Sequence, residues 1–386
     1  MPDHARDSGR RGRFYNQTTH DVYVNVNPNG FTMHTSTGSA PLHYPFGTQV
    51  PERGGFLEVA TGIRWIRMPL PFALDHINLW LLRDAINGRE GWTVVDCGAD
   101  TADTRAAWER IITDGLDGLP ILRVVVTHMH PDHIGLAHWL CDRFHAPLWI
   151  SALDYHAARV GVYDPEGFGG ESGVAFYRQH GFHTPEFVEH VRARRRYYPS
   201  LVPSLPRQFE RLADGQALRV GQDQWDAIDG YGHAPEHIML HCPEQQILIS
   251  GDMVLPTIST NVSVHAMEPH GDPLGLFLTS LKRYERMPGE SLVLPSHGRP
   301  FKGLHTRLHA LQAHHADRLN ALRQALQGTS ATAAEVLPVL FKRPLDAHQS
   351  TFALGETIAH LHRLWQEGVV TRHTDAQGVH RFCGLS

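Results

Sequence analysis

The chain has 386 residues, of which 41% are hydrophobic and 19% charged, so it can bury a large core. It carries 35 basic and 40 acidic residues for a formal net charge of −5, which gives no overall positive field for a nucleic-acid backbone. No stretch approaches the roughly 18 to 20 apolar residues of a membrane helix, and four widely separated cysteines are too few for a disulfide framework. These features predict a soluble cytoplasmic protein with no membrane partner.

The residue pattern over positions 1–303 predicts an extension followed by an α/β domain. Residues 1–45 are polar and rich in Gly, Asn, Thr and Pro without periodicity, so we expect a surface extension with no chemical role. Residues 46–303 alternate short apolar runs of strand length with helix-like segments, which predicts an α/β domain with largely buried strands. The predicted strands span 77–82, 92–97, 121–126, 148–150, 224–228, 246–250 and 291–294.

From residue 304 onward the pattern becomes helical. Leucines at three- and four-residue spacing predict a long helix over 304–326, and two further helices fit 331–341 and 348–367. Alternation around residues 375–378 then predicts a hairpin. We interpret residues 304–386 as a winged-helix-like domain. Its helix faces lack clustered Lys or Arg, which favours packing or homodimerisation over DNA binding.

A dense group of polar residues follows the strand at 121–126. The sequence THMHPDHIG places His128, His130, Asp132 and His133 on the turn between this strand and the next helix. A strand end is a rigid mount, and a tight turn can aim several side chains at one point. Histidines are numerous here, 29 in all, so the motif gains weight only from matching positions elsewhere in the chain.

Three such positions follow other predicted strands. His233, Asp252 and His297 each lie just past a strand end, beside the Gly, Ser or Pro that a tight turn requires. In an α/β sheet these ends share one edge, where the sites of such folds gather. Five His and two Asp suit zinc, with manganese or iron as alternatives. Seven ligands exceed one tetrahedral ion, so we expect two divalent ions that share a carboxylate.

At this point a family resemblance is clear. The motifs VDCG with Asp96, HMHPDH, GHAPEH, SGD and SHG occur in this order, and over about residues 55 to 303 the chain resembles a metallo-β-lactamase-fold hydrolase. The tail resembles the winged-helix domain that follows this fold in thioesterase-like, glyoxalase II-like and ribonuclease-like members. The resemblance implies an αββα sandwich.

The resemblance also implies a role for each polar residue. His128, His130 and His233 would hold the first metal, Asp132, His133 and His297 the second, and Asp252 would bridge them. Asp96 would orient a ligand from outside the metal sphere, although an Asp at a strand end can instead cap the next helix. Two ions about 3.5 to 4 Å apart lower the pKa of a bridging water toward 7, so a hydroxide would attack a polarised carbonyl. Asp132 and Asp252 are the expected catalytic carboxylates.

The segment 155–206 resembles the insertion that covers the active site in thioesterase-like members. It contains Arg194, Arg195 and Arg196, which are either a solvated helix face or a clamp for the phosphates of coenzyme A or RNA. Candidate oxyanion donors are Tyr163, Tyr177 and Tyr231, and Tyr231 is also a candidate substrate contact.

These features predict a metal-dependent hydrolase of an acyl thioester or similar ester, with coenzyme A or glutathione as the carrier. An endoribonuclease acting on RNA is the first alternative. Only 45 residues separate Asp252 from His297, which leaves no room for the large domain that many nucleases of this superfamily insert there. A lactonase and a non-catalytic metal-dependent binding module are further alternatives.

Overall fold

The computed structural model describes residues 41–72, 74–164, 166–342, 344–345 and 347–385. The predicted extension over residues 1–45 therefore lies outside the described residues except for positions 41–45. Among the described helices, none combines the length and the apolar character needed to cross a membrane.

Two β-sheets form the centre of the molecule. The first sheet has seven strands in chain order, antiparallel up to the pairing of the third and fourth strands and parallel beyond. Its strands are β1 (Phe56–Ala60), β2 (Ile63–Pro69), β3 (His76–Ile86), β4 (Arg89–Val95), β5 (Ile121–Val125), β6 (Leu148–Ile150) and β7 (Glu210–Arg211).

The second sheet has five strands in the order β12-β11-β10-β9-β8, of which only β11 and β12 are parallel. These strands are β8 (Ala217–Val220), β9 (Asp223–Gly230), β10 (His237–Cys242), β11 (Ile247–Gly251) and β12 (Leu292–Pro295). All seven predicted strands are present. The sequence pattern does not predict β1, β2, β7, β8 or β10.

The sheets pack face to face through an apolar layer. Trp80 and Leu82 of β3 point into this layer with Trp225 of β9, and all three side chains are buried. The alternate residues of β3, such as Leu79 and Leu81, point the other way into a second buried cluster. Because both faces of β3 are buried, its centre, Leu79–Leu82, is a continuous apolar run instead of an alternating one.

Helices cover both outer faces, which confirms the αββα sandwich. The first sheet packs against α1 (Ala102–Arg110), α3 (Ala137–Phe144), α4 (Ala152–Tyr163) and α7 (Tyr197–Leu201), with the short α2 (Pro131–Ile134) nearby. The cluster outside the second sheet contains residues of α5 (Gly170–Gln179), α6 (Pro185–Ala193), α8 (Pro273–Tyr284), α9 (Leu304–Ala325), α10 (Ala333–Leu340) and α11 (Ala347–Gln366). One π-helical turn (Ile111–Gly115) and one 3-10 turn (Arg194–Arg196) complete the helical segments.

The C-terminal region contains the predicted three helices, α9 to α11, and the predicted hairpin. The hairpin strands β14 (Val370–Thr374) and β15 (His380–Gly384) pair with β13 (Ser330–Ala331) in a small third sheet. Buried residues of α9, α11 and β15 share one apolar cluster with Leu248 and Val293 of the second sheet. This region therefore extends the sandwich core. The domain boundary at residue 304 and the winged-helix interpretation stay predictions.

Candidate metal centre

Strand ends bring the seven predicted ligands to one place. His128 and His130 follow β5, and Pro131 then starts α2, whose first turn carries Asp132 and His133. The remaining three follow β9, β11 and β12, at the same edge of the sandwich. They are His233, Asp252 and His297, and their ligand atoms lie in groups with those of the HMHPDH motif. All seven side chains are buried except that of His130, which is half-buried.

Three imidazoles form the first group of ligand atoms. His128 Nε2 lies 2.9 Å from His130 Nδ1, and His130 Nδ1 lies 3.0 Å from His233 Nε2. The distance between the Nε2 atoms of His128 and His233 is 3.2 Å. Burial and the neighbouring imidazoles hold the pKa of His128 and of His130 well below the ordinary value. These rings are therefore neutral and present lone pairs, as metal binding requires.

The second group combines one carboxylate with two imidazoles. Asp132 Oδ2 lies 3.4 Å from His297 Nε2 and 3.8 Å from His133 Nε2. Asp252 lies between the two groups. Its Oδ2 is 3.3 Å from His233 Nε2, whereas its Oδ1 is 3.4 Å from His297 Nε2 and 3.7 Å from His133 Nε2. One carboxylate thus faces both groups.

Carboxylates and imidazoles compete for positive charge in this buried cluster. Burial lowers the pKa of His133, but three neighbouring carboxylates, chiefly that of Asp96, raise it well above its ordinary value. Burial also lowers the pKa of His297, yet Asp252 and Asp132 bring it to about 9. The cluster therefore favours positive charge among its carboxylates, which protons or metal cations can provide.

The buried polar atoms fit metal cations. Asp132 Oδ2, His133 Nε2 and Asp252 Oδ1 are buried and have no hydrogen-bond partner. A buried polar atom without a partner is costly, and these three atoms belong to the clusters whose ligand atoms lie within 4.8 Å of one another. Nitrogen and carboxylate oxygen at this spacing form a donor set that divalent transition metals accept.

Asp96 supports the second group from behind. Its Oδ2 accepts from His133 Nδ1 at 2.8 Å, which leaves His133 Nε2 directed at the cluster. Its Oδ1 accepts from the backbone N–H of Thr127 at 2.8 Å. Helix α1 is capped by Thr101. Asp96 therefore does not cap the next helix, which corrects the alternative interpretation of this residue.

Backbone carbonyls orient two further predicted ligands. His297 Nδ1 donates to the carbonyl of His76 at 2.9 Å, and His233 Nδ1 donates to the carbonyl of Asn261 at 2.7 Å. In addition, His237 Nε2 accepts from the backbone N–H of Asp252 at 3.1 Å. His237 therefore positions Asp252. No motif in the sequence points to His76 or Asn261, because only their carbonyl groups are used.

Asp154 connects the two loops that carry the motifs HMHPDH and GHAPEH. Its buried carboxylate accepts from the backbone N–H of Met129 at 2.7 Å and from that of Glu236 at 2.6 Å. Burial raises its pKa to about 6, and the two backbone donors oppose that shift. Tyr198 adds a second tie, since its hydroxyl donates to the carbonyl of Met129 at 2.5 Å. The sequence gives no signal for Asp154, which resembles any acidic residue in the first turn of a helix.

The predicted arginine cluster is divided. Arg194 is half-buried beside the rings of Tyr197 and Phe352, at 5.1 and 5.3 Å from their centroids. Arg195 and Arg196 are exposed and line a groove with a volume of about 460 Å³. Arg194 does not line this groove, and substrate binding by the three arginines stays a prediction.

Two of the candidate oxyanion donors already donate elsewhere. The Tyr231 hydroxyl donates to Asp229 Oδ2 at 2.7 Å, and the Tyr177 hydroxyl to the carbonyl of Thr351 at 3.4 Å. Tyr163 is exposed and lines the groove beside Arg195 and Arg196. A substrate contact through Tyr231 stays a prediction.

Comparisons with known proteins agree with this geometry. The family model of the Metallo-beta-lactamase superfamily matches residues 73–326, and that of the Metallo-beta-lactamase-like, C-terminal domain matches residues 319–385. The probable metallo-hydrolase YqjP of Bacillus subtilis (strain 168) is 26% identical over 333 residues, which cover 82% of this chain and 96% of that protein. An acyl-coenzyme A thioesterase of Gallus gallus is 29% identical over 203 residues, or 51% of this chain and 64% of that protein.

Two solved structures are similar over most of the chain. A beta-lactamase domain protein from Burkholderia ambifaria is 47% identical with a TM-score of 0.84, covering 89% of this chain and 98% of that chain. A metallo-beta-lactamase family protein from Thermus thermophilus is 29% identical with a TM-score of 0.71, covering 85% of this chain and 100% of that chain.

Proposed function

Because this chain belongs to the metallo-beta-lactamase superfamily and is a metallo-hydrolase, we propose that it hydrolyses an acyl thioester or a similar activated ester at a binuclear metal centre. The observation that carries the binuclear proposal is the position of Asp252, with one oxygen 3.3 Å from His233 Nε2 and the other 3.4 Å from His297 Nε2. A carboxylate between two groups of ligand atoms is how proteins hold two cations close together.

The proposal gives each group one cation. His128, His130 and His233 hold the first, and Asp132, His133 and His297 hold the second. Zinc suits these donors, and manganese and iron are the alternatives. When bound, the cations supply a water of lowered pKa and a Lewis acid for the carbonyl. Asp132 and Asp252 are the catalytic carboxylates of the proposal, because each offers a buried, unsatisfied oxygen to the shared centre.

The acyl thioester is supported by a relative and by the helical insertion. The Gallus gallus relative is named an acyl-coenzyme A thioesterase. In this chain α7 carries both Tyr198, whose hydroxyl donates to the carbonyl of Met129 in the HMHPDH motif, and Pro199 and Ser200, which line the groove. The same groove presents Arg195 and Arg196, neither of which forms an ion pair with any described residue. Exposed guanidinium groups beside the site suit the phosphates of a coenzyme A carrier.

The first test compares substrate classes with metal-loaded protein. We expect hydrolysis of acyl-coenzyme A or S-acyl glutathione thioesters, and of a small thioester without a carrier at a higher KM. Cleavage of a single-stranded RNA, or of lactones alone, would replace the thioesterase proposal with the corresponding alternative. Activity on none of the panel would favour a binding module.

A second test concerns the groove. Replacing Arg195 and Arg196 with Ala should raise KM for an acyl-coenzyme A about 10-fold with little change in kcat, because the contact is remote from the carbonyl. The small thioester should be hydrolysed as before. Arg192→Ala is the matched control, since Arg192 is already paired with Glu171 and Glu189. An unchanged KM would show that the groove does not hold the carrier.

A further inference from the structure

One loop supports two of the proposed metal ligands. This ligand loop, residues 252–264, begins at Asp252 and continues past Thr260 to Asn261. The Thr260 hydroxyl donates to the carbonyl of Asp252 at 2.5 Å. The Asn261 carbonyl accepts from His233 Nδ1 at 2.7 Å, which fixes the ring so that Nε2 faces His128 and His130. The position of the loop therefore determines the orientation of His233.

The C-terminal helices hold this loop. Arg307 of α9 is buried and donates to the backbone carbonyls of Leu255 and, at 2.7 Å, of Ile258. The backbone N–H of Val264 donates to the carbonyl of Gly355 in α11 at 3.3 Å. The side chain of Val264 is buried in the same apolar cluster as Leu354 of α11. The loop is thus hydrogen-bonded to α9 at its middle and to α11 at its end.

At Gly355, α11 approaches the loop closely. A Cβ atom at this position would lie 2.7 Å from Ser263 Oγ and 2.9 Å from Ser263 Cβ, distances at which one side must move. The Ser263 hydroxyl donates to Asn261 Oδ1 at 2.9 Å. Glycine destabilises a helix interior relative to Ala, so the close contact accounts for its presence in α11.

We propose that the contact between Gly355 and Ser263 positions the Asn261 carbonyl and thereby sets the orientation of His233. Gly355 and Ser263 are positioning residues in this proposal. The inference rests on the proposed role of His233 as a metal ligand. It assigns the C-terminal region a task beyond packing, since α11 becomes part of the support of the metal centre.

The test is a double-mutant cycle read out by Zn²⁺ affinity in competition with a chelating dye. Gly355→Ala should displace Ser263 and the Asn261 carbonyl, misalign the His233 ring and weaken Zn²⁺ binding about 10-fold. In a Ser263→Gly background the added Cβ meets no side chain, so Gly355→Ala should have little further effect. The visible absorption of the Co²⁺-loaded protein should change in Gly355→Ala and not between the two Ser263→Gly proteins.

Two controls separate positioning from general damage. Ala359→Gly weakens the same helix one turn further along, and it should lower the thermal stability of the metal-free protein without changing Zn²⁺ affinity. If Gly355→Ala does not fold, Ser263→Ala removes only the hydroxyl and should still weaken Zn²⁺ binding.

The Zn²⁺ affinities of these variants decide whether the contact between Gly355 and Ser263 positions His233. A folded Gly355→Ala protein with unchanged affinity, an equal loss in Ala359→Gly, or an equal loss in the Ser263→Gly background would overturn the inference. A wild-type protein that binds no metal would instead overturn the proposed function.

Discussion

Asp96 has a backbone φ of 64°, in the left-handed region that few residues other than glycine adopt. Asp tolerates this conformation better than most side chains, and here it directs the carboxylate back under the HMHPDH loop. The carboxylate receives the N–H and hydroxyl of Thr127 and the Nδ1–H of His133. A strained backbone with three donors on one carboxylate indicates a position selected to orient His133.

Asp96→Asn tests this orientation. The amide keeps the size of the side chain, but its oxygen is uncharged and its nitrogen cannot accept from His133, so Zn²⁺ affinity should fall about 10- to 100-fold. Far-UV circular dichroism should be unchanged. Asp103→Asn on the exposed face of α1 is the matched control. Equal Zn²⁺ affinity in both variants would contradict the role of Asp96.

At the scale of elements, α9 and α11 meet through buried imidazoles. His315 Nδ1 lies 3.1 Å from His360 Nε2, and His360 Nδ1 donates to the carbonyl of Glu356 at 2.8 Å. Since His360 Nδ1 carries a proton, its Nε2 accepts the proton of His315 Nδ1, and both rings are neutral. Burial, with a contribution from Arg318, lowers the pKa of His360 to about 3. Burial and the adjacent His360 also hold the pKa of His315 well below its ordinary value.

The pairing of α9 with α11 should therefore weaken in acid. Both histidines have folded pKa values below the ordinary 6.5, so the unfolded chain binds more protons in this range. Their contribution to the free energy of unfolding is complete above about pH 6.5 and is lost progressively as the pH falls toward about 3. Urea unfolding of metal-free protein from about pH 7 to about pH 5 measures the slope.

His360→Gln keeps an acceptor for His315 but does not titrate, so it should make this slope shallower. His373→Gln changes an exposed histidine and should leave the slope unchanged. The same slope in all three proteins would mean that other groups cause the acid sensitivity.

The elements that the sequence predicts are those with a one-sided or fully buried apolar pattern. Strands β3 and β12 contain the continuous apolar runs Leu79–Leu82 and Leu292–Leu294, because their two faces pack into different buried clusters. Strand β2, which the sequence pattern does not predict, carries Arg64, whose guanidinium donates to the carbonyl of Gly115. A charged residue in the sequence thus occupies a packed position and interrupts the apolar pattern of the strand. Short strands such as β7 have too few residues to show a period.

The site was predictable only as far as its side-chain ligands. Histidine and aspartate at strand ends predict the seven proposed ligands in a recognisable order, and that order carries the family resemblance. The groups that orient them are backbone carbonyls, as at Asn261, or residues of ordinary appearance, such as Asp154. Gly355 lies more than 90 residues along the chain from Asn261, and only packing relates the two.

At the scale of the whole molecule, we expect metal binding to be coupled to folding. Elemental analysis of the fully loaded protein should give two divalent ions per chain, and chelation should lower the melting temperature by several degrees. The reason is that a ligand at about 1,000 times its Kd stabilises the folded state by about 4 kcal/mol. One ion or none would contradict the binuclear proposal.

Asp252→Ala serves as the reference in this experiment. Without the shared carboxylate the two cations lose the negative charge between them, so occupancy of both groups should fall. The melting temperature of this variant should respond only weakly to a chelator. A variant that keeps both ions and near-normal turnover would show that Asp252 does not join the two groups.

The shared core outside the second sheet also fixes an order of events during synthesis. Leu248 of β11 and Val293 of β12 leave the ribosome well before Leu354 and Ile358 of α11, which belong to the same buried cluster. Until α11 has emerged, the part of this cluster that α11 covers stays exposed to water, and exposed apolar surface is where nascent chains aggregate. A growing chain therefore exposes apolar surface over this interval, and loop 252–264 gains its contact with Gly355 only after α11 has docked.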